Sequence, residues 1–393
     1  MATTSESIRR YSGPPLFSFG FRPFFLFSAI WAAVAVPIWI AALFLGDGTV
    51  GGLDGRLWHT HEMLFGYLAG VIAGFLLTAV PNWTGRLPVT GGRLMALFAL
   101  WAAGRLAGFL PASMGGLAAV VDSAFLIAFA AVIWREVLAA GNRRNLPVCL
   151  MVTVLAAANV AFHLRGVIPP VGPGAERAAV AVITGLIMLI GGRVTPSFTR
   201  NWTTAQGLSQ HPAAFGRFDG GVMALTGLAL AGWVAAPLSP LTGAAMVLAG
   251  LANLARLARW RGWLARSEPL VWILHAGYVW IGLGLGLLGL AALAPDAVPY
   301  TAGIHALTAG AMGVETLAMM TRATRGHTGR PRVADRATTA IYVLVLAAAA
   351  VRVAAPFLAD WTIVLVSVSA TLWALAFAGF ALAYGPMLWR KSI

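Results

Sequence analysis

The chain lacks most of what defines a soluble or disulfide-rich protein. It has one cysteine, Cys149, which excludes a disulfide scaffold, a multi-thiolate metal site and haem attachment through a CxxCH motif. Only 10% of its residues are charged, against about a quarter in soluble domains. Lysine is almost absent, and the arginines behind the net charge of +14 are scattered between apolar runs rather than gathered on one face, which excludes nucleic-acid binding.

Long apolar runs stand in place of the missing charge, with 59% hydrophobic residues and a mean hydropathy of +0.82. A membrane-spanning helix needs about 20 mostly apolar residues. Twelve stretches qualify, at 22–45, 57–80, 92–110, 115–139, 145–166, 174–198, 219–236, 239–256, 268–292, 299–321, 337–357 and 361–388. The sequence therefore predicts an all-α polytopic membrane protein, with residues 1–393 forming a single transmembrane domain and no cleaved signal peptide.

The distribution of basic residues predicts the orientation, because cytoplasmic loops are enriched in arginine and lysine. With the N-terminus inside, all but five of the 27 basic residues fall in cytoplasmic segments. The five exceptions are Arg56, Arg165, Arg177 and Arg352 on the opposite side and Arg105 within the third span. We therefore expect both termini to be cytoplasmic.

A threefold repeat is predicted from the ends of the second, sixth and tenth spans. Aligning Thr84 with Thr199 and Thr328 gives offsets of 115 and 244 residues. Under these offsets His61 corresponds to Glu176 and to His305. The predicted four-helix repeats cover 15–140, 145–262 and 268–389.

The second span carries His59, His61 and Glu62 near its outer end. Ionisable groups in membrane spans are costly and are functional candidates by default. The two histidines are two residues apart, or about 200° around a helix, and so face different sites. Polar residues at a water interface are one interpretation, and a metal or haem site is the other.

The tenth span places His305, Thr308, Met312, Glu315 and Met319 on one α-helical face. Imidazole binds haem iron, copper or zinc, and thioether sulfur adds a preference for Cu(I). A methionine stripe is also ordinary core packing. The mid-membrane Glu315 needs either a proton or a cationic partner.

Two single histidines, His163 and His275, are either ligands or partners in ordinary interhelical hydrogen bonds. The loop after the tenth span holds a further cluster that anchors the helix on the inner side or binds an anionic group such as haem propionates. Its members are Arg322, Arg325, His327 and Arg330.

Four segments together resemble the NnrS family, and the resemblance covers nearly the whole chain. They are RPFF at 22–25, WHTHEM at 58–63, RVTPSFTRN at 193–201 and RGHTGRP at 325–331. The resemblance implies a bacterial inner-membrane protein of about twelve helices that contains haem and copper and acts in nitric oxide metabolism or protection from nitrosative stress. It implies no ligand set.

The haem–copper oxidases offer a more distant analogy of three four-helix arcs, with histidine ligands on the second, sixth, seventh and tenth helices. In this chain the second and tenth spans carry histidines, as the corresponding helices of the oxidases do. The sixth span has Glu176 instead, and the seventh has no histidine, so a three-histidine copper site of that type is absent. Fold analogy alone does not establish an activity.

These observations predict non-covalent haem b and copper, with His61 and His305 as the leading ligands and His59, Met312 and Met319 as further metal candidates. Glu62 and Glu315 are the predicted proton-handling groups, with proton uptake from the outer side. The expected partners are the lipid bilayer, nitric oxide or a related small molecule, and an electron donor that the sequence does not identify. A copper or small-molecule transporter, and an assembly factor for denitrification enzymes, are the alternative functions.

Overall fold

Twelve long helices make up almost all of the computed structural model, which describes residues 11–168 and 171–392. Each overlaps one predicted span, so the all-α prediction is confirmed. In chain order they are α1 Phe21–Leu45, α2 Gly55–Thr84, α3 Gly91–Ala107, α4 Gly115–Ala139, α5 Leu146–His163, α6 Val171–Ala205, α7 Arg217–Ala235, α8 Pro240–Ala258, α9 Pro269–Leu293, α10 (300–327), α11 Arg336–Ala354 and α12 Thr362–Trp389.

Ten of the helices in the described residues are long and apolar enough to cross a membrane. The other two are α3, with only 17 residues, and α10, which carries Glu315 within its apolar part. Ten hydrophobic helices of this length in one chain make it a multi-pass membrane protein.

A short hairpin leads from α1 into α2 and fixes where the first histidines lie. Strand β1, Thr49–Val50, pairs antiparallel with β2, Leu53–Asp54, around Gly51, whose φ of +60° favours glycine. Asp54 then caps α2, because its Oδ1 accepts from the backbone N–H groups of Arg56 at 3.0 Å and Leu57 at 3.3 Å.

Two helices contain a π-helical segment next to a predicted functional residue. In α2 it covers Glu62–Leu68 and in α10 Ala306–Met312. The two segments are 244 residues apart, which is the offset that aligns the threonines. A π turn contains more residues than an α turn, so the continuous α-helical face predicted from His305 to Met319 does not run straight through α10. The threefold repeat stays a prediction.

The chain divides into two compact units. Unit 1 comprises Met1–Ala179, Met320–Pro331 and Phe377–Ile393, and unit 2 comprises Val180–Met319 and Arg332–Ala376. An aromatic cluster that includes Phe24, Trp101 and Phe125 fills the core of unit 1. In unit 2, α8 and α9 approach closely at Gly250, where a Cβ atom would lie 2.6 Å from the carbonyl oxygen of Gly282.

Candidate metal centre

Three helices of unit 1 bring five polar side chains together inside the apolar core. Helix α2 contributes His61 and Glu62, α4 contributes Asp122, and α5 contributes Asn159 and His163. All are buried except His163, which is half-buried. Polar groups this deep are stable only when they are bonded to one another, so their contacts define the chemistry of the site.

Asp122 is the centre of the cluster. Its Oδ2 lies 3.0 Å from Nε2 of His61, 3.0 Å from Nε2 of His163 and 2.8 Å from Nδ2 of Asn159. On its other side, the His61 ring places Nδ1 3.0 Å from Oε1 of Glu62. One carboxylate oxygen therefore faces two imidazole nitrogens that come from different helices.

Arg105 of α3 joins the two carboxylates. Its guanidinium hydrogen-bonds to both Glu62 and Asp122, and Nε1 of Trp31 donates to Oε2 of Glu62 at 2.9 Å. One fixed positive charge therefore faces two negative charges. With both imidazoles neutral, the cluster carries one excess negative charge, which a metal cation or one protonated imidazole would balance.

Close packing encloses this cluster. The ring centroids of Phe162 and Phe65 lie 4.9 and 5.4 Å from that of His61. At Gly66 a Cβ atom would lie 2.9 Å from Oε2 of Glu62, so the approach of Arg105 to this carboxylate requires glycine there. Water is kept away, which strengthens the electrostatic interactions inside the site.

His61, Asp122 and His163 can hold a metal ion, since one ligand atom from each lies within 4.8 Å of the others. Two imidazole nitrogens and a carboxylate oxygen suit divalent first-row metals such as copper, iron and zinc. A haem does not fit at His61, because Phe65 and Phe162 pack against the imidazole ring and occupy the space that a macrocycle would need.

The other predicted ligands lie in different surroundings. His59 of α2 stacks on Trp39, with ring centroids 4.2 Å apart, on the opposite side of the helix from the cluster. His305 belongs to unit 2, where its Nδ1 donates to the carbonyl oxygen of Thr301 at 2.7 Å. Its pairing with His61 stays a prediction.

The remaining candidates on α10 are buried to different degrees. Met312 is fully buried, Met319 is half-buried, and Glu315 is buried with its Oε1 lacking a hydrogen-bond partner in the described residues. Glu315 packs against α9, where a Cβ atom on Gly277 would lie 3.0 Å from Oε1. Their proposed roles in metal binding and proton transfer stay predictions.

The cytoplasmic cluster predicted after the tenth span makes contacts within unit 1. Nε of Arg325 donates to the Tyr384 hydroxyl at 3.0 Å, and the ring of His327 packs near Phe19 and Phe21. Two further members are half-buried: Arg330, whose NH1 reaches the carbonyl oxygen of Thr328 at 3.5 Å, and Arg322. These contacts anchor the end of α10.

Unit 2 contains a second buried polar cluster. Arg256 of α8 donates through Nε to Oδ1 of Asp219 at 3.1 Å and through NH1 to the Tyr278 hydroxyl at 2.9 Å. The hydroxyl in turn donates to Oδ1 of Asn253 at 2.8 Å. Oδ2 of Asp219 also lies 3.7 Å from NH2 of the exposed Arg259, so the negative charge of this cluster is compensated without a ligand.

Sequence analysis missed Asp122, Arg105 and Asn159 as members of the site. Asp122 is the only carboxylate of the span 115–139 before Glu136, and Arg105 is the only charged residue near the end of α3. Both are ionisable groups within predicted spans, and this property alone would have selected them as functional candidates.

A family model described as NnrS protein matches residues 15–392, nearly the whole chain. The chain belongs to the NnrS family. Membership fits a membrane protein of the nitric oxide response, and the NnrS family is associated with metal and haem binding. No curated protein matches the chain.

Proposed function

We propose that this NnrS protein is a membrane-embedded redox protein that acts on nitric oxide or its products and protects against nitrosative stress. Its metal centre is formed by His61, Asp122 and His163 and takes copper. The observation that carries this proposal is the position of Asp122 Oδ2, 3.0 Å from both imidazole Nε2 atoms, in a cluster that lacks one positive charge.

Copper held by these three residues would supply one-electron redox chemistry. The protein's own contribution is to orient the ligands. A neutral His61 donates its Nδ1 proton to Glu62, which leaves the Nε2 lone pair for the metal. Such outer carboxylates fix the tautomer of a ligating histidine and raise its basicity, so Glu62 is a positioning residue.

Arg105 holds Asp122 Oδ1 and Glu62 Oε2, so each carboxylate keeps one oxygen for its histidine. Asn159 donates to Asp122 Oδ2, and its own Oδ1 lies 3.2 Å from Nε2 of His61. The aromatic rings of Phe65 and Phe162 exclude water from this side. A small uncharged molecule such as nitric oxide can reach a site of this kind through lipid and apolar packing.

We further propose residence in the bacterial inner membrane with both termini cytoplasmic, since most basic residues then lie inside. We also propose haem b as a second cofactor. Proton uptake from the outer side follows from the position of Glu62 in the outer part of α2 under this orientation.

Metal analysis of the purified full-length protein tests the proposal. Near-stoichiometric copper is expected in the natural protein and in His211→Ala, whose histidine lies in a loop bonded to Thr203. Loss of copper and of nitric oxide consumption is expected in His61→Ala and His163→Ala. Copper retained by both of these variants would overturn the metal centre. Copper uptake into liposomes without any nitric oxide consumption would support a transporter instead.

A further inference from the structure

A groove opens in unit 2 where α8 and α9 separate. Towards one end the two helices touch through Gly243 and Gly289. Towards the other they leave an open groove of about 560 Å³, which the turn Gly262–Ala265 borders. Its lining is apolar and aromatic, with Leu254, Leu257, Trp263 and Trp272, and includes Arg266 and His275. This volume is in the range of small-molecule sites.

The hydrogen bonds of His275 determine which of its nitrogens faces a ligand. The Thr199 hydroxyl donates its only proton to the carbonyl oxygen of Thr195 at 2.9 Å, so its oxygen accepts from Nε2 of His275 at 2.8 Å. Nε2 therefore carries the proton of the neutral ring, and Nδ1 is a hydrogen-bond acceptor. Nδ1 makes no hydrogen bond within the described residues, and His275 lines the groove although it is only 8% exposed.

The backbone beside the ring is built for this arrangement. Arg261 has a φ of +53°, the only positive value for a residue other than glycine in the part of the chain that the structure describes. Strained residues of this kind cluster at ligand sites. Gly262 follows, and a Cβ atom there would lie 2.5 Å from Cγ and Nδ1 of His275, so glycine is required for the turn to approach the imidazole this closely and leave room beside Nδ1.

The lining specifies the chemistry of the occupant. An acceptor nitrogen at the buried end requires a ligand that donates a hydrogen bond, and two indole rings favour a planar ring. Arg266 disfavours a cation. Trp263 is 59% exposed at the rim, so an apolar tail attached to the ring can leave into lipid. A phosphate diester has no proton to donate and does not satisfy Nδ1.

We propose that this groove binds the ring of a membrane hydroquinone, with one phenolic hydroxyl donating to Nδ1 of His275 and the ring against Trp263 and Trp272. The binding itself is independent of the metal centre. Its role as electron donor rests on the proposed function: one hydroquinone oxidised to quinone releases two electrons and two protons. The reduction of two nitric oxide molecules to nitrous oxide and water consumes these two electrons and two protons.

Equilibrium binding of decylubiquinol to the full-length protein in nanodiscs of zwitterionic lipid tests the site. Saturable binding is expected, about tenfold weaker in His275→Phe, which keeps a ring but removes the acceptor. Ala276→Phe fills the groove and should abolish binding. Leu290→Phe, on an exposed part of α9 outside the groove, is the matched control and should bind normally.

A ligand control separates hydrogen bonding from simple partitioning. The dimethyl ether of the same ring lacks both hydroxyl donors and should bind about as weakly to the natural protein as decylubiquinol does to His275→Phe. Thr199→Val removes the acceptor that fixes the tautomer and should weaken decylubiquinol binding while leaving the imidazole in place. This variant keeps the test decisive if His275→Phe does not fold.

Three results would overturn the site. Equal binding of the ether, full displacement by phosphatidylglycerol, or a haem spectrum altered by His275→Phe would each assign the groove to another occupant or to none. Copper content measured on the same samples keeps this test separate from the proposed function. If the natural protein contains no copper but binds decylubiquinol normally, the metal centre is contradicted and the hydroquinone site is not.

Discussion

The two units each bury an arginine among carboxylates in an apolar helix bundle, but the charges balance differently. In unit 1, Arg105 faces Glu62 and Asp122, and two histidines lie against Asp122. In unit 2, Asp219 faces both Arg256 and the exposed Arg259, and the remaining members are the neutral Tyr278, Asn253 and Thr226. With neutral imidazoles the first cluster has an excess negative charge, which a metal cation or a protonated imidazole would balance, and the second cluster has none.

This difference separates the proposed metal centre from the cluster of unit 2, which has no excess negative charge. Buried ion pairs contribute little net stability, since desolvation offsets most of the attraction, yet removing one partner is strongly destabilising. The neutral cluster of unit 2 satisfies this requirement internally. The cluster of unit 1 leaves its excess negative charge next to imidazole nitrogens, where a metal ion would satisfy it.

Removing either buried arginine should have the largest effect on stability, and the response of each variant to copper should distinguish the two clusters. Arg105→Gln leaves two buried carboxylates without their arginine, and Arg256→Gln leaves Asp219 with only the exposed Arg259 at 3.7 Å, so each should lower the free energy of unfolding by about 3–5 kcal/mol. Added Cu(II) should raise the melting temperature of Arg105→Gln more than that of the natural protein, because the cation replaces the lost charge. Arg256→Gln should respond to Cu(II) as the natural protein does, because its metal centre is intact. Equal responses of the two variants to copper would contradict the difference in charge balance.

Neutralising the aspartates should separate metal affinity from stability. Asp122→Asn removes a ligand and should weaken copper binding at least about 100-fold, or roughly 2.7 kcal/mol. Asp219→Asn should leave copper affinity unchanged, although it leaves Arg256 without its carboxylate and lowers the melting temperature. Isothermal titration of both purified variants gives the comparison. A similar loss of affinity in both would show that the effect is not local to unit 1.

Two of the buried glutamates, Glu62 and Glu315, should respond differently to the same change. Glu62 bonds to His61, Arg105 and Trp31, so Glu62→Gln should cost about 1–3 kcal/mol of stability. Oε1 of Glu315 has no partner in the described residues, so Glu315→Gln should change stability by less than about 0.5 kcal/mol. Thermal unfolding in detergent measures both, and a large loss in Glu315→Gln would reveal a charged partner.

Tyr278→Phe in the cluster of unit 2 should have a small effect on stability and none on copper. It removes a hydroxyl that accepts from Arg256 and donates to Asn253, which should cost about 1 kcal/mol. Copper content should stay at the level of the natural protein. A drop in copper would mean that the second cluster is not purely structural.

Sequence reasoning located His61, Glu62 and His163 as candidates but gave no way to join them. The relative rotation of α2, α4 and α5 decides that His61 and His163 meet at Asp122, and the π-helical segment starting at Glu62 changes which residues share a face. The groove at His275 could not be predicted from the sequence either, because it depends on how α8 and α9 diverge around the Gly262–Ala265 turn.

The sequence by itself determined the membrane class, the twelve helices and the family. Hydropathy and helix length follow from the lipid environment, in which each span must satisfy its own backbone hydrogen bonds, so these properties are local. Only the tertiary structure decided which ionisable groups compensate one another. A buried carboxylate or histidine is stable through partners on other helices, and the apolar residues that dominate each span do not encode which partner that is.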